Sequence, residues 1–265
     1  MKTLLLGAAI VGALGFAEDD GATSLEPEPR AKYEAYIRAT EARIQHEVRS
    51  ATYLWSARSP ARWQLVRSGQ VVVEPWNETG DSDIGDAIIH DWIGSVFIPG
   101  VKLDRVVSFL QDYNSHKHYY HPEVVDSRLV GHDGNDWELR YRLVKHKIVT
   151  VVLDVNQTVN FYPLSQTRVH TRSVATRIAE IRNAGTPSEH EAKPGKDHGF
   201  LWRLNTYWRL EEKDGGVYVE CQTISLTRSP PFGLGWLINP IIRTFPPESL
   251  ARLLAATRDA VRSRG

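Results

Sequence analysis

The sequence predicts an α+β protein in which antiparallel strands follow one another between an N-terminal helix and a C-terminal helix. Three observations carry this reading. A stretch free of Gly and Pro from 31 to 57 repeats its apolar residues at helical spacing. Six β-rich segments follow between 124 and 228, with Asp-Gly turns among their links. Leu250, Leu253, Leu254, Thr257 and Val261 then mark one face of a closing helix.

The first residues read as an address and not as fold. Lys2 supplies one positive charge, 3–17 is an apolar run, and Gly15-Phe16-Ala17 has the small-x-small form of a cleavage site before Glu18-Asp19-Asp20. The run is shorter than the ~20 apolar residues a spanning helix needs. Cleavage of 1–17 is therefore expected over an uncut anchor, and the mature protein is expected to be secreted or periplasmic. Pro27 and Pro29 in a charged stretch suggest a flexible linker over 18–30. From 30 to 57, Tyr33, Ile37, Thr40, Ile44, Val48, Ala51 and Trp55 share one helical face. The expected organisation is a signal over 1–17, a linker and amphipathic helix over 18–66, and the main domain over 67–265.

Beyond 67 the texture turns β. Segments 70–74 and 87–98 read as strands, and Leu103, Val106, Val107 and Leu110 define a short amphipathic helix over 102–111. The aromatic, His-rich stretch 114–122 reads as irregular. Strands are expected at 124–131, 137–145, 148–161, 166–183, 200–212 and 217–228. Asp133-Gly134-Asn135 and Asp214-Gly215-Gly216 are turns, because Asp and Gly tolerate the positive φ of tight hairpins. A polar loop spans 183–199. The apolar stretch 229–247 carries Pro and Gly and is not expected to be one continuous helix. It reads as a lid over a cavity, as a surface touching a membrane or partner, or as a crossover packed on the sheet edge. The C-terminal helix is expected to start near Ser249, or at Pro246, Pro247 and Glu248.

Composition narrows the function. The 32 Lys and Arg balance 32 Asp and Glu, which argues against nucleic-acid binding through bulk charge. One cysteine, Cys221, excludes a disulfide framework, a multi-Cys zinc module and an iron–sulfur cluster; within a strand it reads as a packed thiol. No GxGxxG, Walker loop, GxSxG or HExxH motif is present, and no cofactor is implied.

The order of elements, a strand pair, a short helix, a long antiparallel meander and an amphipathic helix, is that of the helix-grip fold. Three segments carry the texture: Ile89-His-Asp-Trp-Ile-Gly-Ser-Val-Phe-Ile-Pro-Gly100, Gly199-Phe-Leu-Trp-Arg-Leu-Asn-Thr-Tyr-Trp-Arg209 and Gly216-Val-Tyr-Val-Glu-Cys-Gln-Thr-Ile-Ser-Leu226, followed by the helix from Pro247. Over 71–261 the chain resembles the START-like, or SRPBCC, superfamily of polyketide cyclase-like and lipid-transfer proteins. The resemblance implies a curved antiparallel sheet wrapped around a long C-terminal helix, with an apolar cavity between them. It implies a hydrophobic or lipid ligand in most members and catalysis in a minority. Fold analogy alone does not choose between these.

The last hairpin can be put in register from its turn. With Asp214-Gly215 at the tip, Arg209 faces Glu220 and Tyr207 faces Gln222. One face then carries Leu204, Thr206, Trp208 and Leu210 against Val219, Cys221, Thr223 and Ser225, and should meet the C-terminal helix. The other is expected to be solvated, with Arg209–Glu220 a surface pair contributing under ~1 kcal/mol. The hydroxyls of Thr206, Thr223 and Ser225 among large apolar residues read as a cavity wall, or as core hydroxyls bonded to nearby backbone. On the strand over 166–183, Arg177 shares parity with inward residues. Without a bulge it would point inward and need an anionic ligand group; the alternative is a bulge or an internal partner such as Glu180. Candidate ligand contacts are thus Arg177, Leu204, Thr206, Trp208, Thr223, Trp92 and, from the lid, Trp236. His116, His118 and His121 lack a completing carboxylate at a known spacing, so no metal is expected. His90 and Asp91 are strand neighbours on opposite faces and cannot form a dyad. Three readings stay open: a carrier of a hydrophobic ligand, a cyclase- or hydrolase-type enzyme using the same cavity, and an interaction module acting through the N-terminal helix.

Overall fold

The computed structural model describes residues 25–50, 52–146, 150–193, 196–230 and 235–263, with the backbone alone for 235–242. The expected export segment and Ala51 lie outside the described residues.

The first element is helix α1 (Pro27–Glu47), with proline in its first turn, where a missing N–H removes no intrahelical bond. This corrects the linker expected through residue 30, and the helix expected to reach 57 stops at Glu47. What ends it is tertiary. The Glu220 carboxylate accepts the backbone N–H groups of Trp55 and Ser56, each at 2.8 Å, and draws that segment onto the sheet. Helix α2 (Pro60–Arg67) follows, with Ser59 accepting the Arg62 N–H as its N-cap.

The strands are β1 (Val72–Pro75), β2 (Asp81–Asp83) and β3 (Ala87–Pro99), then helix α3 (Leu103–Gln111) and one short helical turn, α4 (His116–Tyr119). The meander runs β4 (Val124–Asp133), β5 (Asp136–His146), β6 (Thr150–Ser165), β7 (Arg168–Arg182), β8 (His190–Glu191), β9 (Arg203–Lys213) and β10 (Gly216–Arg228). Their order in one curled, unclosed antiparallel sheet is β1-β3-β10-β9-β7-β6-β5-β4, with β2 added to β3 and β8 to β7. The α+β class, the curled sheet and the C-terminal helix match the expected architecture.

Asp214 and Gly215 take φ of 57° and 77° in the β9–β10 turn, which sets Glu220 opposite Arg209 and Gln222 opposite Tyr207 as expected. Val96, Ile98, Leu210, Val219 and Cys221 on the inner face pack with Leu250, Leu254 and Val261 in one buried cluster. Those last three belong to α5 (Gly235–Ser263), which crosses β3 at Gly94. Cys221 is a free, buried thiol, and burial holds its pKa well above the ordinary value. The helix is a correction at its start: it runs through Pro240, Pro246 and Pro247 where a broken loop was expected. Pro246, Leu250 and Leu253 fall at helical spacing toward the interior. Their burial offsets the interior prolines' lost hydrogen bonds.

The outer face is the second correction. It is covered by α1, and its polar residues are buried: Arg209 and Gln222 are each 2% exposed, Glu220 1%, and Asp91 1%. Tyr33, Ile37 and Ile44 of α1 pack with Ile89, Tyr207 and Ile224 of the sheet. Polar side chains are tolerated there because each finds a partner. Arg209 pairs with Glu47, Tyr207 donates to Glu41 at 2.9 Å, and Gln222 Nε2 donates to Asp91 at 2.7 Å. The apolar stripe of α1 is thus engaged with its own sheet.

Candidate functional site

Between the inner face and α5 lies a cavity of about 450 Å³. Strand alternation builds its walls. On β9 the even positions Leu204, Thr206 and Trp208 face it, and on β10 the odd positions Thr223, Ser225 and Thr227 do. Thr171 and Ser173 of β7, Val159 and Phe161 of β6, and Leu139, Tyr141 and Leu143 of β5 continue the wall, and Phe245, Leu250 and Leu253 of α5 close it. Apolar walls with a few placed polar groups in this size range are what small-molecule pockets have.

Polar groups cluster at several points on the wall, the pairs His198–Glu180 and Ser173–Gln157 among them. Near α5, Lys145 pairs with Glu123, and its ammonium lies 4.6 Å from the centre of the Phe245 ring. Burial lowers the Lys145 pKa against the raising effect of Glu123. Burial raises that of Glu123, but Lys145 and Arg252 outweigh it and hold the carboxyl below its usual value. Under α3, the His116 ring lies 2.7 Å from the Tyr141 hydroxyl through Nδ1 and 3.2 Å from the Phe109 carbonyl through Nε2. A carbonyl can only accept, so Nε2 carries the proton and Nδ1 accepts from Tyr141. On the β3 side, His90 sits between Asp81 and Thr227. Among the described residues no group of three or more His, Cys, Asp or Glu is arranged to hold a metal.

The expected site residues fall out as follows. Leu204, Thr206, Trp208 and Thr223 line the cavity. Trp92 is on the same face, opposite Thr223 in register. Its indole is tucked under Gly80, so close that a Cβ there would lie 2.4 Å from the ring, and it is not on the cavity wall. Arg177 is a correction. The pairing of β6 with β7 shifts between Asn156–Arg177 and Gln157–Ala175, leaving Thr176 as an extra residue. That bulge reverses the parity beyond it, so Ile178 pairs with inward Val155 and Arg177 turns out to an exposed pair with Glu191. The Trp236 side chain lies outside the described residues. His90 and Asp91 do face opposite sides: His90 lines the cavity, whereas Asp91 accepts from Tyr36 at 2.8 Å under α1.

Sequence reasoning weighed His90 without assigning it a partner, and missed Lys145, Tyr141, the Glu123 pair and the α3-side aromatics as cavity residues. The signal for Tyr141 was present, since Leu139, Tyr141, Leu143 and Lys145 alternate with Arg140 and Arg142 along one strand. Nothing local marked Glu123 or Asp81 as their partners.

No family model matches the chain, and no curated protein matches it in sequence. Solved structures resemble it. The STAR-related lipid transfer protein fragment from Xanthomonas axonopodis is 18% identical with a TM-score of 0.47, covering 69% of this chain and 99% of that one. The Zhui aromatase/cyclase from Streptomyces sp. R1128 is 10% identical with a TM-score of 0.46, covering 66% and 95%. Human STARD10 is 10% identical with a TM-score of 0.44, covering 78% and 82%.

Proposed function

We propose that this chain binds and carries a hydrophobic, lipid-like small molecule in the cavity between its sheet and α5. The observation that carries the reading is the cavity itself: about 450 Å³, bounded mainly by aliphatic and aromatic side chains. A well-packed core would not leave such a space, because interiors close-pack and voids cost stability. The polar groups on its wall, Lys145 with Glu123 among them, give the ligand's polar end somewhere to bond while its apolar part lies along Leu204, Trp208 and Leu250. The apolar run over 3–17 supports export, and the apolar segment 229–247 supports a transient membrane contact during ligand exchange.

The experiment is solvent extraction of the purified, natively expressed protein followed by lipid mass spectrometry. A hydrophobic compound enriched near one equivalent, and absent from a Thr206→Trp variant that fills the cavity, is the expected result. No enriched compound in wild type, together with no uptake of added fatty acid, would remove the carrier reading.

A further inference from the structure

One cluster on the cavity wall holds more than a binding group. Asp81 of β2 lies opposite His90 of β3 in register, and His90 lies opposite Ser225 of β10, two residues before Thr227. Antiparallel partners point to the same face, so four side chains from three strands meet on the inner side. His90 Nδ1 is 2.5 Å from Asp81 Oδ1, and His90 Nε2 is 2.9 Å from Thr227 Oγ1. From α5, Arg243 Nη1 donates to the other Asp81 oxygen at 3.0 Å. The His90 and Asp81 side chains are 0% and 2% exposed, whereas His90, Ser225 and Thr227 all border the cavity.

For a neutral imidazole the partners set the proton position. An Asp81 carboxylate held by Arg243 accepts and does not donate, so His90 Nδ1 carries its hydrogen and Nε2 presents a lone pair to the Thr227 hydroxyl. A hydroxyl, a base within hydrogen-bond reach of it, and a carboxylate orienting that base are the parts of nucleophilic acyl transfer. Both ring nitrogens of a buried imidazole need a partner, and Asp81 supplies only one. The other is a hydroxyl that itself borders the ligand space.

We propose that Thr227, His90 and Asp81 form an acyl-transfer site that hydrolyses a hydrophobic carboxylic ester bound in the cavity. The inference rests on the cavity accepting a hydrophobic ligand, and adds that the ligand carries an ester. Thr227 Oγ1 forms a bond to the ester carbonyl carbon while its proton passes to His90 Nε2. The carbonyl oxygen takes up the negative charge beside the Ser225 hydroxyl, the donor two residues along the same strand. As the carbonyl re-forms, the bond between the acyl carbon and the alkoxy oxygen breaks, and that oxygen takes the proton from His90 and leaves as the alcohol. Water, deprotonated by the same nitrogen, attacks the acyl–Thr227 ester and releases the acid, restoring the hydroxyl. Asp81 and Arg243 are positioning residues.

The test uses the full chain with p-nitrophenyl esters of four to sixteen carbons, read as hydrolysis and, after acid quench, as intact mass. The expected result is turnover that improves with chain length and one acyl group mapped to Thr227. Thr227→Val and His90→Gln should each lose at least about a hundredfold of kcat, Thr227→Ser should retain activity, and Asp81→Asn should lower kcat at constant KM. Thr227→Val keeps the strand's shape but leaves the buried His90 nitrogen without its partner. Its folding is therefore checked by circular dichroism and by retained uptake of a fluorescent fatty acid, which should match wild type and separate chemistry from folding. Hydrolysis undiminished in Thr227→Val, an acyl group on another residue, or no turnover would overturn the proposal. A titration with a fluorescent fatty acid separates the two readings: uptake without turnover leaves the carrier and removes the acyl-transfer site, and no uptake removes both.

Discussion

Arg209 donates to Glu47 at 2.5 Å across the junction between β9 and α1, with the two side chains 3% and 10% exposed. The strand partner of Arg209, Glu220, turns instead to the backbone of Trp55 and Ser56. Two residues 162 apart in sequence thus lock the helix to the outer face. Burial raises the Glu47 pKa, but the Arg58 hydrogen bond and the charges of Arg209 and Arg43 outweigh it and bring the carboxyl to about 2. Breaking such a pair leaves a buried charge unmatched, which costs about 3–5 kcal/mol. Glu47→Gln should therefore lose about 3 kcal/mol in urea unfolding, and Glu47→Leu combined with Arg209→Met should recover part of it, since Arg43 and Arg58 also pair with Glu47. A loss within experimental error for Glu47→Gln would place the pair in solvent.

Two other buried groups make stability depend on pH in opposite senses. Burial pushes Asp91 up to about 6, against the hydrogen bonds from Gln222 and Tyr36 and the charge of Arg43. Between about pH 4 and 6 the unfolded chain ionises this carboxyl before the folded one does, so its contribution falls as pH rises and levels off above about 6. Burial, with the Arg209 charge adding to it, brings His170 down to about 4. The unfolded chain protonates first, so the His170 contribution is full above about pH 6.5 and is lost as pH falls to about 4. Relative to wild type, Asp91→Asn should gain stability as pH rises from 4 to 6, and His170→Gln should gain as it falls from 6.5 to 4. Each change is on the order of 2–3 kcal/mol across its window. Urea midpoints of the three proteins at pH 4, 5, 6 and 7 read this directly; differences that do not vary with pH would contradict it.

Gly94 sets how closely α5 approaches the sheet. A Cβ there would lie 2.6 Å from Leu254 Cδ1, 2.9 Å from Val73 Cγ2 and 3.1 Å from the Val72 carbonyl. Gly94→Ala should cost about 1–3 kcal/mol by overpacking. Leu254→Ala alone removes a buried side chain and should cost about 2–5 kcal/mol. The double variant should cost less than the sum, because the lost leucine makes room for the new methyl. Strict additivity would mean that the helix and strand do not meet there.

Much of the fold was legible in the sequence. Asp214-Gly215 gave away both a turn and a register, since few residues accept positive φ, and the even positions of β9, mixing Thr206 with Leu204 and Trp208, left a cavity wall and a filled core as equal readings. What was not legible depends on contacts distant along the chain. The outer face of β9 and β10 looks like a solvated surface by composition, and only the docking of α1 makes Arg209 and Gln222 buried. The bulge at Thr176 turned Arg177 outward without any local mark, because one inserted residue changes parity and not composition. A helix beginning at Pro246 or Pro247 was among the expectations, but its extension back through Pro240 to Gly235 ran against propensity. The His90 cluster needed β2 to be placed beside β3, and three residues of strand carry little pattern.

The measurement that bears most directly on the cavity is titration of delipidated protein with a fluorescent long-chain fatty acid, for wild type and for Thr206→Trp. Saturable uptake at one molecule per chain in wild type, weakened at least tenfold in a Thr206→Trp variant of unchanged thermal stability, is the predicted result. Equal uptake by both proteins, or none by wild type, would contradict a ligand held between the sheet and α5.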